Sequence, residues 1–313
     1  MKVFVKLLTV VLTLAMIVGV SVGCDVKQDV PEPTEEARPT EAPRSEPTPE
    51  PTAEPKGFEL HFIDIGTGDG MLLICDGEAM IIDSGNVGRG ETMVNFTKGK
   101  GVEKLKYLMV THGHADHVGG MPEIIEAFPF ETMLMDDAPC DEVPYKNLVK
   151  IIEERGIVPV DPEPGQVYQL GGGSFEILTP LKFDPSNLNN NSIGIKFTYG
   201  SNTFLLLGDS TSTVESQLLK KDGVDLKADV FKADHHASTT GNIKKFLQAV
   251  APTYICVQVG TENKLGYPSA ATIKRLKENC TELYRNDVNG TVSFYSDGTT
   301  IRVETEKVPD AEG

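Results

Sequence analysis

Between Val110 and Gly120 the chain reads VTHGHADHVGG, which places His112, His114, Asp116 and His117 within six positions of a 313-residue sequence that holds only six histidines. Two more, His235 and His236, stand side by side in ADHHAS, and Asp209 closes the run LLLGDS. Clustering of this kind is hard to explain by packing, because a buried histidine normally occurs singly beside one polar partner. His61, in ELHFID, is of that single kind and is expected to be structural. Imidazoles and carboxylates without thiolates suit zinc, manganese or iron at a site that does chemistry. His112 and His114 are two residues apart, so in extended chain their side chains share a face and can take one ion. Asp116 and His117 lie just beyond and can take a second, with Asp209 as a bridge. Two divalent ions held this way bring the pKa of a shared water toward neutrality, which supplies a hydroxide nucleophile, and they offset charge that builds on phosphorus or a carbonyl.

The elements that must position these groups follow from the apolar pattern. FELHFIDIG, GMLLICDG and EAMIIDSG read as successive strands of a meander, and LKYLMVTHGH as a strand that runs straight into the histidine cluster. ETMVNFTKGKG, MPEIIEAF and YKNLVKIIEERG read as helices, the first and last ending at glycine, with TMLMDD as a strand between the second and third. The pattern then restarts. SFEILTP, SIGIKFTYG and NTFLLLGD are strands, and STVESQLLKKDG is a helix. ADVFKADHH and PTYICVQVG are strands followed by the helices NIKKFLQAVA and SAATIKRLKENC, with NIKKFLQAVA between the two strands. GTVSFYSDG and TTIRVETE form a closing hairpin. Strand meanders with interspersed helices in two similar halves predict two sheets packed face to face with helices outside. Each ionisable cluster falls where a strand ends, which is where sites are usually built.

The chain begins differently. Met1–Gly23 has Lys2 and Lys6, an uncharged apolar run from Leu7 to Val20, and small residues before Cys24, and is predicted to be a signal peptide. Asp25–Lys56 is rich in Pro, Glu and Thr and too poor in large apolar residues to fold, so residues 24–56 are expected to be an extended linker that reaches about 100 Å. Residues 57–313 remain for one folded domain. Net charge is −17 for the chain, and acids outnumber bases in the domain as well, so a nucleic-acid or anionic-lipid partner needs a local basic groove; Lys244, Lys245 and Lys264 are candidates. Of the five cysteines, Cys75 and Cys256 lie in apolar runs and are expected to be buried free thiols. No spacing points to a disulfide framework or a zinc ribbon.

The motif HxHxDH resembles the signature of the metallo-β-lactamase superfamily, an αββα sandwich of the α/β class, over residues 57–306. FIDIGTGDGMLL, NKLGYPS and YRNDVNGTVSF are similar to segments of one branch, the secreted or membrane-linked domain of ComEC-type DNA-uptake proteins. IIDSG, LLLGD and HHAS match further family motifs. The resemblance implies that His112 and His114 bind one metal, that Asp116, His117 and His236 bind a second, and that Asp209 bridges them. His235 would face the substrate, the exchange of His235 and His236 being the alternative, and Asp83 would orient a ligand or the strand end. Asp116, Asp209 and His235 are then the expected catalytic groups. The family's third histidine for the first metal is replaced by LNNNS, where Asn190 or Asn191 would offer a weak oxygen ligand or water would fill the place. Tyr267, Thr67 and Ala237 also stand where the branch usually has His, Gln and Gly. No counterpart of the transport channel is present, so DNA transport is not expected.

Gly23-Cys24 resembles a lipobox with Ser21 in place of the usual aliphatic residue. The expected protein is therefore a bacterial lipoprotein, lipid-anchored through Cys24 at the extracellular face of the cell membrane. It would be a hydrolase with two divalent metals, zinc first and manganese second, acting on phosphodiesters of nucleic acid or a cell-surface polymer. No protein partner is implied. Hydrolysis of a lactone, thioester or β-lactam, and a binding lipoprotein on a retired hydrolase fold, are the competing readings.

Overall fold

The structure is a computed structural model that describes residues 57–308 apart from Glu262 and Lys264. The expected signal peptide, Cys24 with its linker, and Lys264 lie outside the described residues. The domain opens on three antiparallel strands, β1 (Phe58–Phe62), β2 (Met71–Cys75) and β3 (Glu78–Ile82). Helix α1 (Gly90–Gly99) leads to β4 (Leu105–Met109), which pairs parallel with β3. The one-turn helix α2 (Ala115–Val118) and α3 (Met121–Ala127) lead to β5 (Phe130–Leu134), parallel to β4, and α4 (Val143–Arg155) follows.

The plan then repeats. Strands β6 (Val167–Leu170), β7 (Gly173–Thr179), β8 (Gly194–Tyr199) and β9 (Asn202–Leu206) form an antiparallel meander. Helices α5 (Ser212–Leu218), α6 (Lys244–Val250) and α7 (Ala270–Lys277) alternate with β10 (Val230–Lys232), β11 (Tyr254–Val257) and β12 (Glu282–Arg285), which add in parallel. A single turn, α8 (Asn286–Asn289), precedes the hairpin β13 (Val292–Ser296) and β14 (Ile301–Thr305). That hairpin departs from a division into two sequential halves, because β13 pairs with β1 and so joins the first sheet. The sheets run β14-β13-β1-β2-β3-β4-β5 and β12-β11-β10-β9-β8-β7-β6. The short strands β6 and β12 are absent from the sequence-based expectation.

Alternation along the strands sorts side chains into three apolar layers. Phe58, Leu60 and Phe62 of β1 face Phe197, Phe204 and Ile195 of the other sheet, and the rings of Phe58 and Phe197 stack with centroids 4.3 Å apart. Ile81, Leu108 and Met133 face α1, α3 and α4 through Met93, Ile124 and Leu148. Leu205, Phe231 and Ile255 face α5, α6 and α7 through Val214, Phe246 and Leu276. Two sheets between two helical layers are the expected αββα sandwich. At roughly 2 kcal/mol for each large apolar side chain buried, these layers supply the main force holding the sheets together.

The parallel strands set the place of the site. The chain leaves β3, β4, β9, β10 and β11 at their carboxyl ends, and these lie on one edge of the sandwich. Asp83, His112, Asp209, His235 with His236, and Gln258 follow those ends directly. Carboxyl ends of parallel strands are where open α/β sheets present groups to ligands.

Candidate metal centre

Each half contributes a different local device. After β4 the chain stays extended through His112, and His114 enters α2. His112 Nε2 and His114 Nδ1 come within 2.9 Å of each other and so aim at one point. The turn of α2 brings Asp116 and His117 to the next point. Across the sandwich, Asp209 follows β9, and its Oδ2 lies 3.2 Å from His117 Nε2 and 3.3 Å from His236 Nε2. His236 Nε2 is also 3.5 Å from Asp116 Oδ2. After β10 the residues His235, His236 and Ala237 all adopt left-handed backbone, with φ of 47°, 51° and 56°. Such conformations cost non-glycine residues of order 1–3 kcal/mol each and persist where surrounding structure imposes them. Here they turn His236 inward, fully buried, and leave His235 at the mouth with Nε2 3.7 Å from Asp209.

The supporting groups fix the imidazoles. Asp83 is buried, and its Oδ2 lies 2.7 Å from both His117 Nδ1 and the Thr111 hydroxyl, which donates to it, while its Oδ1 accepts from Thr111 N at 2.8 Å. It orients His117 and the end of β4 together. His236 Nδ1 donates to the Gln258 carbonyl at 2.9 Å. His235 Nδ1 meets the Thr240 hydroxyl at 2.8 Å, and the Tyr267 hydroxyl stands 3.5 Å from His235 Nε2. The segment from Met135 to Tyr145 braces the first histidines: Cys140 donates to the Gly113 carbonyl and Glu142 accepts from Ala115 N.

One expectation is corrected. Asn190 and Asn191 do not point a spare oxygen at the centre. Asn190 accepts from Thr211 Oγ1 and donates to Asp184, and Asn191 exchanges both amide groups with the Asp184 backbone. Their hydrogen-bonding capacity pins the loop before β8 instead, and the hydroxyls of Thr111 and Ser192 stand beside His112, 3.1 and 3.4 Å from its Nδ1. His61 is structural as expected, with Ser293 on one ring nitrogen and Glu59 on the other. Cys75 and Cys256 are buried free thiols.

Two residues escaped the sequence reading. Asp69, in GTGD, is fully buried behind His117 and His236, and Lys232 of β10 is fully buried with Nζ 2.7 Å from Asp69 Oδ2. Gly68 permits this approach. Its φ is +115°, and a Cβ there would lie 2.1 Å from the Asp116 carbonyl oxygen. A lone lysine between Phe231 and Ala233 in a core strand was the available signal.

The donor set fits metal ions. Groups of His112, His117 and Asp209, and of Asp116, His117 and His236, each bring one ligand atom within 4.8 Å of the others. Among the described residues, His117 Nε2, His236 Nε2 and Asp209 Oδ1 are buried without a hydrogen-bond partner. Buried polar atoms in native proteins are normally satisfied. Electrostatics agrees. Burial opposes charge on Asp209, yet His236 and His117 hold its carboxyl well below the usual range. Burial also opposes charge on Asp116, and the same imidazoles overcome it. Burial draws His236 down, but Asp209, Asp116 and Asp69 raise it to about 10, and His117 is raised well above its ordinary value in the same way. His112, which burial and His117 push well below its ordinary value, is neutral and ready to ligate. The carboxylates thus draw two protons into the centre, a charge that divalent ions would replace.

Residues 64–255 match the sequence profile of the Metallo-beta-lactamase superfamily. The chain belongs to that superfamily. This superfamily member is similar to ComE operon protein 3 of Bacillus subtilis (strain 168), at 24% identity over 254 residues, which cover 75% of this chain and 33% of that protein. It is likewise similar to Recombination protein 2 of Haemophilus influenzae, at 24% identity over 252 residues, 78% of this chain and 30% of that protein. The chain thus spans about a third of the length of the relatives it matches. Among solved structures, a mutant of the CmlA beta-hydroxylase superposes with a TM-score of 0.51 at 16% identity, covering 79% of this chain and 55% of that one, which shows a shared fold. Within the superfamily fold, the His/Asp groups of this chain make up a centre suited to two metal ions. No helix among the described residues is long and apolar enough to cross a membrane.

Proposed function

We propose that the chain is a metal-dependent hydrolase of phosphodiester bonds, a nuclease or a cell-surface phosphodiesterase, anchored outside the membrane by lipid on Cys24. The observation that carries this reading is the convergence of His112, Asp116, His117, Asp209 and His236, with His114 against His112, while Nε2 of His117 and of His236 is left unpartnered. His112 and His114 would hold one ion, Asp116, His117 and His236 the other, and Asp209 both. Zinc suits this donor set best, with manganese second. Two divalent ions held there would provide a water nucleophile ionised near neutral pH and offset the charge that builds on phosphorus.

The chain's own residues do the rest. Asp83 and Gln258 keep Nε2 of His117 and His236 turned inward. His235, slightly exposed at the mouth and with Thr240 on Nδ1, would present Nε2 to a substrate oxygen. Burial lowers its pKa despite Asp209, which favours the neutral ring; with Nδ1 accepting from the Thr240 hydroxyl, Nε2 would donate.

A phosphodiester also needs an anion-binding wall in an acidic domain. A polar pocket of about 360 Å³ is lined by Thr67, Asn86, Arg89 and Thr261, on loops that leave the strands bearing Asp83 and Gln258 and the turn bearing Asp69. Asn86 is three residues from Asp83, which limits their separation to roughly 10 Å. Among the described residues Arg89 makes no ion pair, and Asp64 on the pocket wall is engaged by Lys307 at 3.2 Å. An unpaired Arg89 would then hold a phosphate that is not cleaved.

The test is turnover by the metal-reconstituted protein. Chelator-sensitive hydrolysis of bis-p-nitrophenyl phosphate, without hydrolysis of nitrocefin or a model lactone, is expected. Hydrolysis of the latter two alone would overturn the substrate class, and bound metal without any turnover would favour a binding protein. For the anchor, Cys24→Ser is expected to move the protein from the membrane fraction to the medium.

A further inference from the structure

Lys232 is a fully buried lysine inside a parallel strand, on the same face as Val230, between the sheets. Its ammonium is surrounded by oxygen: Asp69 Oδ2 at 2.7 Å, the Gly208 carbonyl at 3.0 Å, the Ala233 carbonyl at 3.2 Å and Asp209 Oδ1 at 4.0 Å. An all-oxygen set of carboxylates and carbonyls is what a hard cation requires. Asp69, Asp209 and His236 by themselves satisfy the spacing of a metal-holding group. Asp69 lies near the Nδ1 edges of both inner histidines, 3.4 Å from His236 and 3.9 Å from His117.

We infer that Lys232 is a built-in cation of the metal centre: a positioning residue that acts through Asp69 and Asp209 to set the charge of the loaded site. Four buried or half-buried carboxylates, Asp69, Asp83, Asp116 and Asp209, surround the centre. Two divalent ions alone would only neutralise them. The ammonium makes the centre one charge more positive than the ions alone would, which suits an anionic substrate. The ammonium also draws on the charge of Asp209 and so moderates how tightly the ions are held. The inference rests on the reading of the cage as a metal centre.

The test compares the full chain with Lys232→Met, Asp69→Asn and the double variant, reading zinc affinity by competition with a chromophoric chelator and KM for bis-p-nitrophenyl phosphate. Lys232→Met, which frees both carboxylates from the ammonium, is expected to bind zinc at least about tenfold more tightly and to raise KM. Asp69→Asn removes the nearer carboxylate charge from the ammonium and is expected to bind zinc about tenfold more weakly. The double variant should return close to wild type. An ion pair that merely joins the two sheets would lower the melting temperature of both single variants and shift zinc affinity in the same direction or not at all, and that result would overturn the inference. If Lys232→Met does not fold, Asp69→Asn decides: unchanged zinc affinity overturns the inference and weakened affinity upholds it. Failure of the wild-type chain to bind zinc would instead sink the metal-centre reading itself.

Discussion

His61 and His236 are both buried histidines in the same domain, and they differ in one respect. His61 has a protein partner on each ring nitrogen, Ser293 at 2.7 Å and Glu59 at 3.0 Å, and burial lowers its pKa despite Glu59. His236 has a partner on Nδ1 alone, while Nε2 looks across at Asp209 and Asp116 without a hydrogen bond. The first environment is complete and asks only for a neutral ring. The second is incomplete, and carboxylates crowd its open side. A buried imidazole with one nitrogen fixed and the other aimed into acids is built to receive a cation, and His117 with Asp83 behind it repeats the arrangement.

The comparison can be broken by substitution. The largest effect is expected from Asp209→Ala, which removes the carboxylate shared by both inner histidines; kcat for a phosphodiester should fall by about a thousandfold or more while circular dichroism stays native. Next, Asp83→Asn should weaken zinc binding by about 10- to 100-fold, because the carboxylate that orients the ligand becomes a neutral amide with one acceptor fewer. Calorimetry in buffers of different ionisation heat should show protons released on zinc binding, and affinity that rises with pH, since His117 and His236 carry protons when no ion is present. Uptake without proton release would contradict the charge assignment. Arg89→Ala should raise KM for the diester by roughly three- to tenfold with kcat little changed. The smallest effect on activity belongs to His61→Asn, which should cost about 1–3 kcal/mol of stability in urea melts and leave kcat alone. A loss of turnover there comparable to that of Asp209→Ala would erase the distinction between the two kinds of histidine.

The centre was legible where its ligands were local. HGHADH gave four groups from spacing alone, and the αββα sandwich follows from two runs of strand-rich and helix-rich segments. His236 could be separated from His235 only by family pattern, because neighbours in sequence point apart only when the backbone turns left-handed there, and no propensity announces three such residues in a row. Asp69 and Lys232 were missed because their meaning lies in a contact between two sheets, which periodicity does not report. Asn190 and Asn191 misled for the opposite reason: an amide near a missing ligand position looks available until its partners in the loop, Asp184 and Thr211, are seen. Strand β12 (ELYR) mixes charge and partial exposure, and only its parallel pairing with β11 makes it a strand.

The account depends most directly on the metal content of the purified chain. Elemental analysis after dialysis against micromolar zinc and removal of free ion is expected to give two zinc ions per chain for the wild type and at most one for Asp209→Ala. A wild-type chain that retains none, or an Asp209→Ala chain that retains as many as wild type, would contradict it.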